Sequence, residues 1–342
     1  MTTLAVGTDK GGWLLRSDDR HSWQVDGPFF SGWGVTAFGR AADGAYLAAT
    51  NSGWFGPGVH RSRDLDTWEQ VADGPAFGDS GPRLEQIWTF TTAPDGRLYC
   101  GVAEAGVFVS DDHGGTWQPV TAFNAHATRP AWQPGGGGLC AHRVLLDGDR
   151  MWVAASAVGV FRSDDAGATF VPRNAGVQVA APDGGDTGVG YCVHALTTDP
   201  ANPDVIWRQD HRGVYRTADG GDSWERIERG LPAAFGFPIV RDNASGALFV
   251  VPLAADENRV PVDGRFAAWR SLDGGDSWSL AGTGWPDEPS YASVLRGAVA
   301  TDGDGGVYLG STGGELWATA DAGDTWQRLP GRYPRIATVA VI

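Results

Sequence analysis

Short strand-like runs separated by turn residues follow one another along the whole 342-residue chain. Residues 45–50, 58–61 and 67–71 are three successive examples, and each contains β-branched or aromatic side chains. Runs of this length, bounded by glycine, aspartate and serine, predict β-strands joined by hairpins. Two such runs precede and one follows each copy of a short motif, so the pattern predicts a repeated β-sheet unit.

The composition supports an all-β chain. Tryptophan occurs 16 times and methionine twice, whereas long helices rely on residues such as methionine, leucine and lysine. Glycine and proline, with 51 and 20 copies, supply many turns but stay below the level that marks disorder.

The motif consists of Ser or Thr, then Asp, Gly, Ser or Thr, and an aromatic residue, and it occurs seven times. The full-length copies are residues 110–117, 163–170, 217–224, 271–278 and 319–326. Two further copies, residues 17–23 and 62–68, are one residue shorter and lack the glycine. The terminal aromatic residues recur at intervals of 45 to 54 residues, which is the size of a propeller blade.

The motif suits a hairpin turn, because its Asp can accept backbone N–H groups, its Gly allows positive φ and its aromatic residue packs between strands. It is identified as the Asp-box (BNR) repeat. The chain resembles the sialidase-like Asp-box β-propellers over essentially its whole length. That group includes sortilin-type, xyloglucanase and photosystem-assembly-factor proteins. The resemblance implies an all-β, seven-bladed β-propeller that occupies residues 1–342 as a single domain.

The first blade lacks one strand at the amino end, because residues 4–7, 12–16 and 22–25 supply only three. Residues 335–342 are predicted to provide the missing inner strand. Pairing of the two chain ends would close the ring and leave no exposed sheet edge at the seam.

The formal net charge of −15, with no Lys/Arg cluster to offset it, argues against nucleic-acid binding. The amino terminus has no basic segment followed by an apolar one, and no stretch of about 18 apolar residues occurs. We therefore expect a cytoplasmic monomer without membrane contact. Cys100, Cys140 and Cys192 are too few for a disulfide framework, so any function they have is expected of thiols.

The Asp boxes are predicted to be structural, because turn hydrogen bonds use their carboxylates on the lower rim. Function is expected on the opposite face, where the loops 121–139, 174–190 and 253–268 stand out by their length. A glycosidase would need paired carboxylates on that face. The candidates are Glu85, Asp186, Asp210 and Glu257.

A Cys-x-His pattern occurs at the same position of two neighbouring inner strands, as Cys140-x-His142 and Cys192-x-His194. Residues two apart on a strand share a face, so each Cys and His can project together near the channel mouth. His126 and His211 fall in the same two blades, the fourth and fifth. Imidazole and thiolate groups together suit Zn, Cu or Fe, so these six residues are predicted transition-metal ligands.

Two alternatives stay open for the same residues. In a metal-free site, His142 or His194 would act as a general base, or a cysteine as a nucleophile. Their catalytic neighbours would be Arg143, Tyr191 and Asp210. Otherwise these cysteines and histidines fill the inner strands as packing, copied from blade to blade by repeat duplication.

Aromatic residues on the same face could stack on sugar rings. The candidate ligand-binding residues are Trp54, Trp132 and Trp285. Trp54 stands beside Phe55 between glycines in a short loop, a position that is hard to bury.

These observations keep three function classes open. They are an enzyme, either glycoside-hydrolase-like or metal-dependent, a ligand-binding propeller, and a non-catalytic assembly scaffold. The preferred hypothesis is a small molecule or glycan bound at the loop-bearing mouth of the channel. Sialidase activity is disfavoured, because that family's Phe/Tyr-Arg-Ile-Pro motif is absent and the nearest string, residues 333–336, reads Tyr-Pro-Arg-Ile.

Overall fold

The computed structural model describes residues 1–79, 81–179, 188–254 and 257–342. Nearly all of their regular structure is β. Within these residues the strands form seven antiparallel groups of four, which we number as blades 1 to 7. The inner strand of each blade lies at the centre of the ring, and in blade 1 the last strand of the chain supplies it.

The strands of blades 1 to 3, in chain order, are β1 (Thr2–Thr8), β2 (Gly11–Ser17) and β3 (Gln24–Phe29); β4 (Gly34–Arg40), β5 (Tyr46–Ser52), β6 (Gly56–Ser62) and β7 (Glu69–Gln70); β8 (Gln86–Thr92), β9 (Leu98–Ala103), β10 (Gly106–Ser110) and β11 (Gln118–Pro119). Blades 4 and 5 contain β12 (Cys140–Asp147), β13 (Arg150–Ser156), β14 (Gly159–Ser163) and β15 (Val171–Pro172); β16 (Val193–Asp199), β17 (Asn202–Asp210), β18 (Gly213–Thr217) and β19 (Glu225–Arg226). Blades 6 and 7 contain β20 (Gly236–Arg241), β21 (Leu248–Pro252), β22 (Trp269–Ser271) and β23 (Ser279–Leu280); β24 (Val294–Thr301), β25 (Val307–Ser311), β26 (Leu316–Thr319) and β27 (Gln327–Arg328). The final strand is β28 (Ile336–Val341).

The last strand of the chain closes the ring. β28 pairs with β1 in antiparallel register, with Val339 opposite Val6 and Val341 opposite Leu4. The inner strands β28, β4, β8, β12, β16, β20 and β24 each contact the next in this order, and β24 contacts β28 again. The predicted propeller fold and its closure by the C-terminal strand are confirmed.

Among the described residues, helix is confined to short segments, namely α1 (Thr121–Asn124) and the 3-10 turns Arg129–Ala131 and Val262–Gly264. In the part of the chain that the structure describes, no helix has the length and apolar character needed to cross a membrane.

The core lies between successive blades and includes the aromatic residue of each box. Trp224 of blade 5 packs in one apolar cluster with Trp152 of blade 4. Its indole N–H also donates to the Arg173 carbonyl of blade 4 at 3.0 Å. Trp224 therefore joins its own blade to the preceding one, and Trp278 does the same by donating to the Ile227 carbonyl at 2.8 Å.

The Asp boxes occupy the turns between the third and fourth strands, as predicted. After β10, the Asp112 carboxylate accepts hydrogen bonds from the Thr116 N–H at 2.8 Å and from the Thr116 hydroxyl at 2.9 Å. The Ser110 hydroxyl donates to the same carboxylate at 2.7 Å. The same contacts recur at Asp165, Asp219, Asp273 and Asp321. Since the turn uses both carboxylate oxygens, these aspartates are structural.

Asp273→Ala is expected to lower the free energy of unfolding by about 1–3 kcal/mol, because turn N–H and O–H groups lose their acceptor. The hydrogen bonds from the Ser277 hydroxyl and N–H lower the pKa of Asp273 to about 2. A carboxyl with a lowered folded-state pKa stabilises the fold above its ordinary range, near pH 4, and this contribution is lost as the pH falls toward 2. Urea denaturation is therefore expected to show a lower unfolding midpoint for the variant than for the wild type at pH 7, and a much smaller difference at pH 2.5.

Asp66→Ala is the matched control, because Asp66 is exposed and its side chain is outside the turn network. Equal midpoints for Asp273→Ala and the wild type at pH 7 would contradict the prediction.

Every inner strand bulges near the end at which it enters its blade. In five strands the bulge is a single residue: Thr36 in β4, Trp88 in β8, His142 in β12, His194 in β16 and Ala337 in β28. In the other two, the register shifts between Gly236 and Ile239 in β20 and between Val294 and Val299 in β24. A bulge changes the direction of a side chain, so these strands share one layer of redirected side chains at the channel mouth.

Candidate metal and ligand site

Bulge side chains in three blades bond to the next inner strand. Each donates to the carbonyl of the residue that immediately precedes the bulge of the following blade. The pairs are the Thr36 hydroxyl to Ile87 O at 2.7 Å, His142 Nε2–H to Val193 O at 2.9 Å, and His194 Nδ1–H to Gly236 O at 2.6 Å. The matched histidine register therefore has a structural role, because it joins adjacent blades.

The other ring nitrogen of His194 faces Cys192 and His211. His194 Nε2 lies 3.5 Å from Cys192 Sγ, and the ring centroids of His194 and His211 are 5.6 Å apart. The ligand atoms of the three residues all lie within 4.8 Å of one another. The Nδ1–H bond to Gly236 fixes the tautomer and leaves Nε2 with a lone pair, which is how proteins orient metal-binding imidazoles.

Both buried histidines are neutral at physiological pH. Burial, assisted by the positive charge of Arg296, holds the pKa values of His194 and His142 well below their usual range. A neutral imidazole can bind a metal without first losing a proton. Burial also raises the pKa of the Cys140 thiol, whereas Cys192 is partly exposed. Cys192 is therefore the more accessible of the two candidate thiols.

Two phenylalanines enclose the histidine pair. The Phe235 ring lies 5.2 Å from His211 and 5.6 Å from His194, and the Phe237 ring lies 4.9 Å from His194. An apolar wall of this kind excludes water and strengthens electrostatic interactions at the site.

The structure leaves Cys140, His142 and His126 outside the Cys192–His194–His211 group. Cys140 is buried where β12 pairs with Ala103 of blade 3, and His142 is bonded to blade 5 as described. His126 lies among the outer strands, with its ring nitrogens 2.8 Å from Thr128 Oγ1 and 3.1 Å from Phe170 O. The sequence placed all six candidate ligands in two blades, but it could not show which groups each side chain contacts.

The predicted catalytic neighbours are also separated. Asp210 is fully buried and paired with the equally buried Arg208, whose guanidinium also donates to Asn174 Oδ1 at 2.8 Å. The Tyr191 ring lies 5.9 Å from the same guanidinium. Asp210 and Tyr191 thus belong to the packing around Arg208, while Arg143 lines the central channel. Arg143 therefore shares a cavity with His142 and His194, whereas Asp210 is held by Arg208, and the catalytic roles of the three residues stay predictions.

Among the described residues, the other candidate carboxylates do not form the carboxylate pair that a glycosidase needs. Glu85 and Glu257 are exposed. Asp186 lies outside the described residues. With Asp210 bonded to Arg208, the structure supplies no support for a two-carboxylate mechanism.

Two of the three predicted sugar-stacking residues pack against other aromatic rings. Trp132 is buried, and its ring lies 5.4 Å from Phe123, which corrects the prediction for this residue. Trp285 stacks on the box residue Trp326 with ring centroids 4.5 Å apart, but it is only half-buried and also lines a surface pocket with Thr283 and Pro289. Trp54 is 91% exposed, as the sequence suggested.

A cavity of about 130 Å³ lies inside the ring of inner strands. Its charged or titratable wall is formed by His142, Arg143, His194 and Arg296. None of the described residues that line it is acidic. The cavity is therefore electropositive in a chain whose formal net charge is −15.

Arg296 is the site residue that sequence reasoning missed. It lies within the bulge of β24, and its guanidinium is 5.0 Å from the Phe237 ring. The sequence did contain a signal for it, since Arg296 lies near the start of an inner strand, where blades 4 and 5 carry His142 and His194. The long bulge of β24 shifts its position along the strand, so the equivalence of Arg296 with these histidines is not visible in the sequence.

The BNR/Asp-box repeat family matches residues 108–119, which contain the third box. This match falls on a turn with the geometry described above, within a closed ring of four-stranded sheets. The chain folds as a β-propeller whose blades carry Asp-box turns. Among curated proteins, a xyloglucanase from Paenibacillus sp is 26% identical to this propeller in an alignment of 173 residues, which covers 41% of the chain. The aligned part is 16% of the xyloglucanase, so the propeller spans only a fraction of that relative.

Solved structures show the same fold. The GH74 enzyme of Niastella koreensis superposes with a TM-score of 0.57 at 15% identity, covering 86% of this propeller and 45% of the enzyme. YCF48 from Cyanidioschyzon merolae gives a TM-score of 0.56 at 16% identity, covering 89% and 87% of the two chains.

Proposed function

We propose that this Asp-box propeller binds a small molecule or glycan at the mouth of its central channel through a transition metal held by Cys192, His194 and His211. The approach of three ligand atoms to within 4.8 Å of one another carries the proposal. Zn, Cu and Fe all accept mixed thiolate and imidazole ligands.

The three residues differ in how firmly they are held. His194 is buried and fixed by its bond to Gly236, whereas Cys192 and His211 are partly exposed. Metal bonds of about 2.0–2.3 Å place ligand atoms roughly 3–4 Å apart. Small rotations of the Cys192 and His211 side chains would close the set around His194 Nε2.

Three protein ligands leave one position of a tetrahedral metal for water or a ligand oxygen. A bound metal would supply Lewis-acid polarisation or an activated water at that position. Phe235 and Phe237 would limit the access of bulk water, and His194 would keep its orientation through Gly236 O. The likeness to a xyloglucanase and the exposed Trp54 ring support a glycan as one candidate ligand class.

The metal is tested on protein purified without added metal and then equilibrated with Zn²⁺. Elemental analysis is expected to give about one ion per chain. Cys192→Ala and His211→Ala are each expected to weaken Zn²⁺ binding by at least about tenfold, since even the outer partners of metal ligands are worth that much. Both side chains are partly exposed, so both variants are expected to stay folded.

His142→Ala is the matched control, because His142 carries the inter-blade bond without belonging to the three-ligand group. It is expected to lose about 1–3 kcal/mol of unfolding free energy and to keep its Zn²⁺ affinity. The metal proposal would be wrong if the wild-type protein retained no Zn²⁺, Cu²⁺ or Fe²⁺. It would also be wrong if Cys192→Ala and His211→Ala bound Zn²⁺ with the wild-type affinity. The binding-module and scaffold alternatives would then have to be tested without a metal.

A further inference from the structure

We infer that the central channel binds a small oxyanion, a phosphate or a carboxylate, between Arg143 and Arg296. Both arginines line the cavity inside the ring of inner strands. The inference concerns a different pair of residues from the metal group and does not depend on a metal.

Neither guanidinium has an ion-pair or hydrogen-bond partner among the described residues, and Arg296 Nε is buried without any acceptor. Burial alone lowers the pKa of Arg143, which agrees with the lack of a nearby carboxylate. Most arginines elsewhere in the described residues are paired with a carboxylate. Arg150, for example, contacts both Asp147 and Asp204.

A cation removed from water without a partner is costly. The chain has 41 acidic residues, yet none of the described ones lines this cavity. An anion supplied from outside would satisfy both guanidinium groups. Planar guanidinium groups suit the paired oxygens of phosphate and carboxylate in particular.

The positions of the two strands fit a shared ligand. In the ring order given above, β12 and β24 are separated by two strands on one side and three on the other. Arg143 and Arg296 therefore reach the cavity from opposed sides. Thr89 and Thr338, which also line the cavity, add hydroxyl groups to the wall.

The size of the cavity limits the ligand. It measures about 130 Å³, somewhat less than the roughly 150 Å³ cavity that holds a benzene molecule. A phosphate, a small dicarboxylate or the acidic end of a larger molecule fits this volume. The Phe237 ring beside Arg296 holds the guanidinium through a cation–π contact while leaving its N–H groups free to donate.

The test uses full-length, metal-free protein and two probes, inorganic phosphate and malonate, at an ionic strength kept constant with NaCl. Titration calorimetry is expected to show saturable binding of at least one probe. Arg143→Met and Arg296→Met are each expected to weaken it by at least about tenfold, the loss of one charged hydrogen bond. Without anion, both variants are expected to need as much urea as the wild type for unfolding, or more, because an unpaired cation has been removed. Arg150→Met, which removes a paired arginine outside the channel, is expected to bind the probe like the wild type.

The two probes distinguish the ligand classes. Binding of phosphate alone assigns a phosphate ligand, and binding of malonate alone assigns a carboxylate. No saturable binding of either probe to the wild type would overturn the inference. Unchanged probe affinity in both Arg143→Met and Arg296→Met would also overturn it. An equal loss of probe affinity in Arg150→Met would overturn it too, because the probe would then be held by general charge attraction. Because no metal is present, failure of the metal proposal does not affect this result.

Discussion

Removal of residues 335–342 is expected to destroy cooperative folding of the entire ring. The deleted residues contain β28, the inner strand of blade 1, and its buried residues Ile336 and Val339. Without it, β1 presents an unpaired edge, and β24 and β4 lose the strand between them. Tryptophan fluorescence and circular dichroism during urea denaturation are expected to lose the sharp transition of the wild type. A terminal segment without such pairing would be removed at little cost.

A circular permutant provides the control for this deletion. The backbone N–H of Ile342 donates to Thr3 O at 3.1 Å, so a short glycine linker can join the two ends. New termini placed between the exposed Asp287 and Glu288 would leave every described strand pair in place. The permutant is expected to unfold cooperatively, near the wild-type midpoint. A truncated protein that unfolds as sharply as the permutant would show that β28 does not close the ring.

Asp210→Ala is expected to cost about 3–5 kcal/mol of unfolding free energy, the range for removing one partner of a buried ion pair. Arg208 and Asp210 are both fully buried, and the variant would leave the Arg208 cation without its carboxylate. The remaining bond to Asn174 is made to a neutral amide oxygen. Urea denaturation with a fluorescence readout measures the loss.

Replacement of both partners separates this effect from simple loss of packing. Arg208→Met combined with Asp210→Leu removes both charges and keeps most of the volume, so it is expected to be more stable than Asp210→Ala. A loss below 1 kcal/mol for Asp210→Ala would mean that the carboxylate is not needed to neutralise Arg208. The hypothesis that Asp210 is catalytic would then have to be tested again.

The repeat made the fold predictable, because each box predicts a turn and the interval between boxes predicts a blade. The missing first strand and the apolar run at residues 335–342 together predicted the closure now seen between β28 and β1. These signals are local in the sequence or follow from the need to cover sheet edges.

The site was less predictable, because its members depend on the partner of each side chain. His142 and His194 share one register, yet only the second ring has a thiol and another imidazole beside its free nitrogen. Whether Asp210 is reactive or structural depended on Arg208, two residues away on the same strand. Trp132 looked exposed until its loop folded back onto Phe123. Alternation along a strand cannot show any of these contacts.

The bulges of the inner strands separate the chemistry of the channel from the stability of the blades. Each blade carries its stabilising turn at one end and its redirected channel residue at the other, so a substitution at the bulge leaves the box untouched. Variation can therefore act on one blade at a time, as the Thr36, Trp88, His142 and His194 series illustrates. A scaffold of this kind is modular, and proteins that share its architecture can differ entirely in the ligands they select.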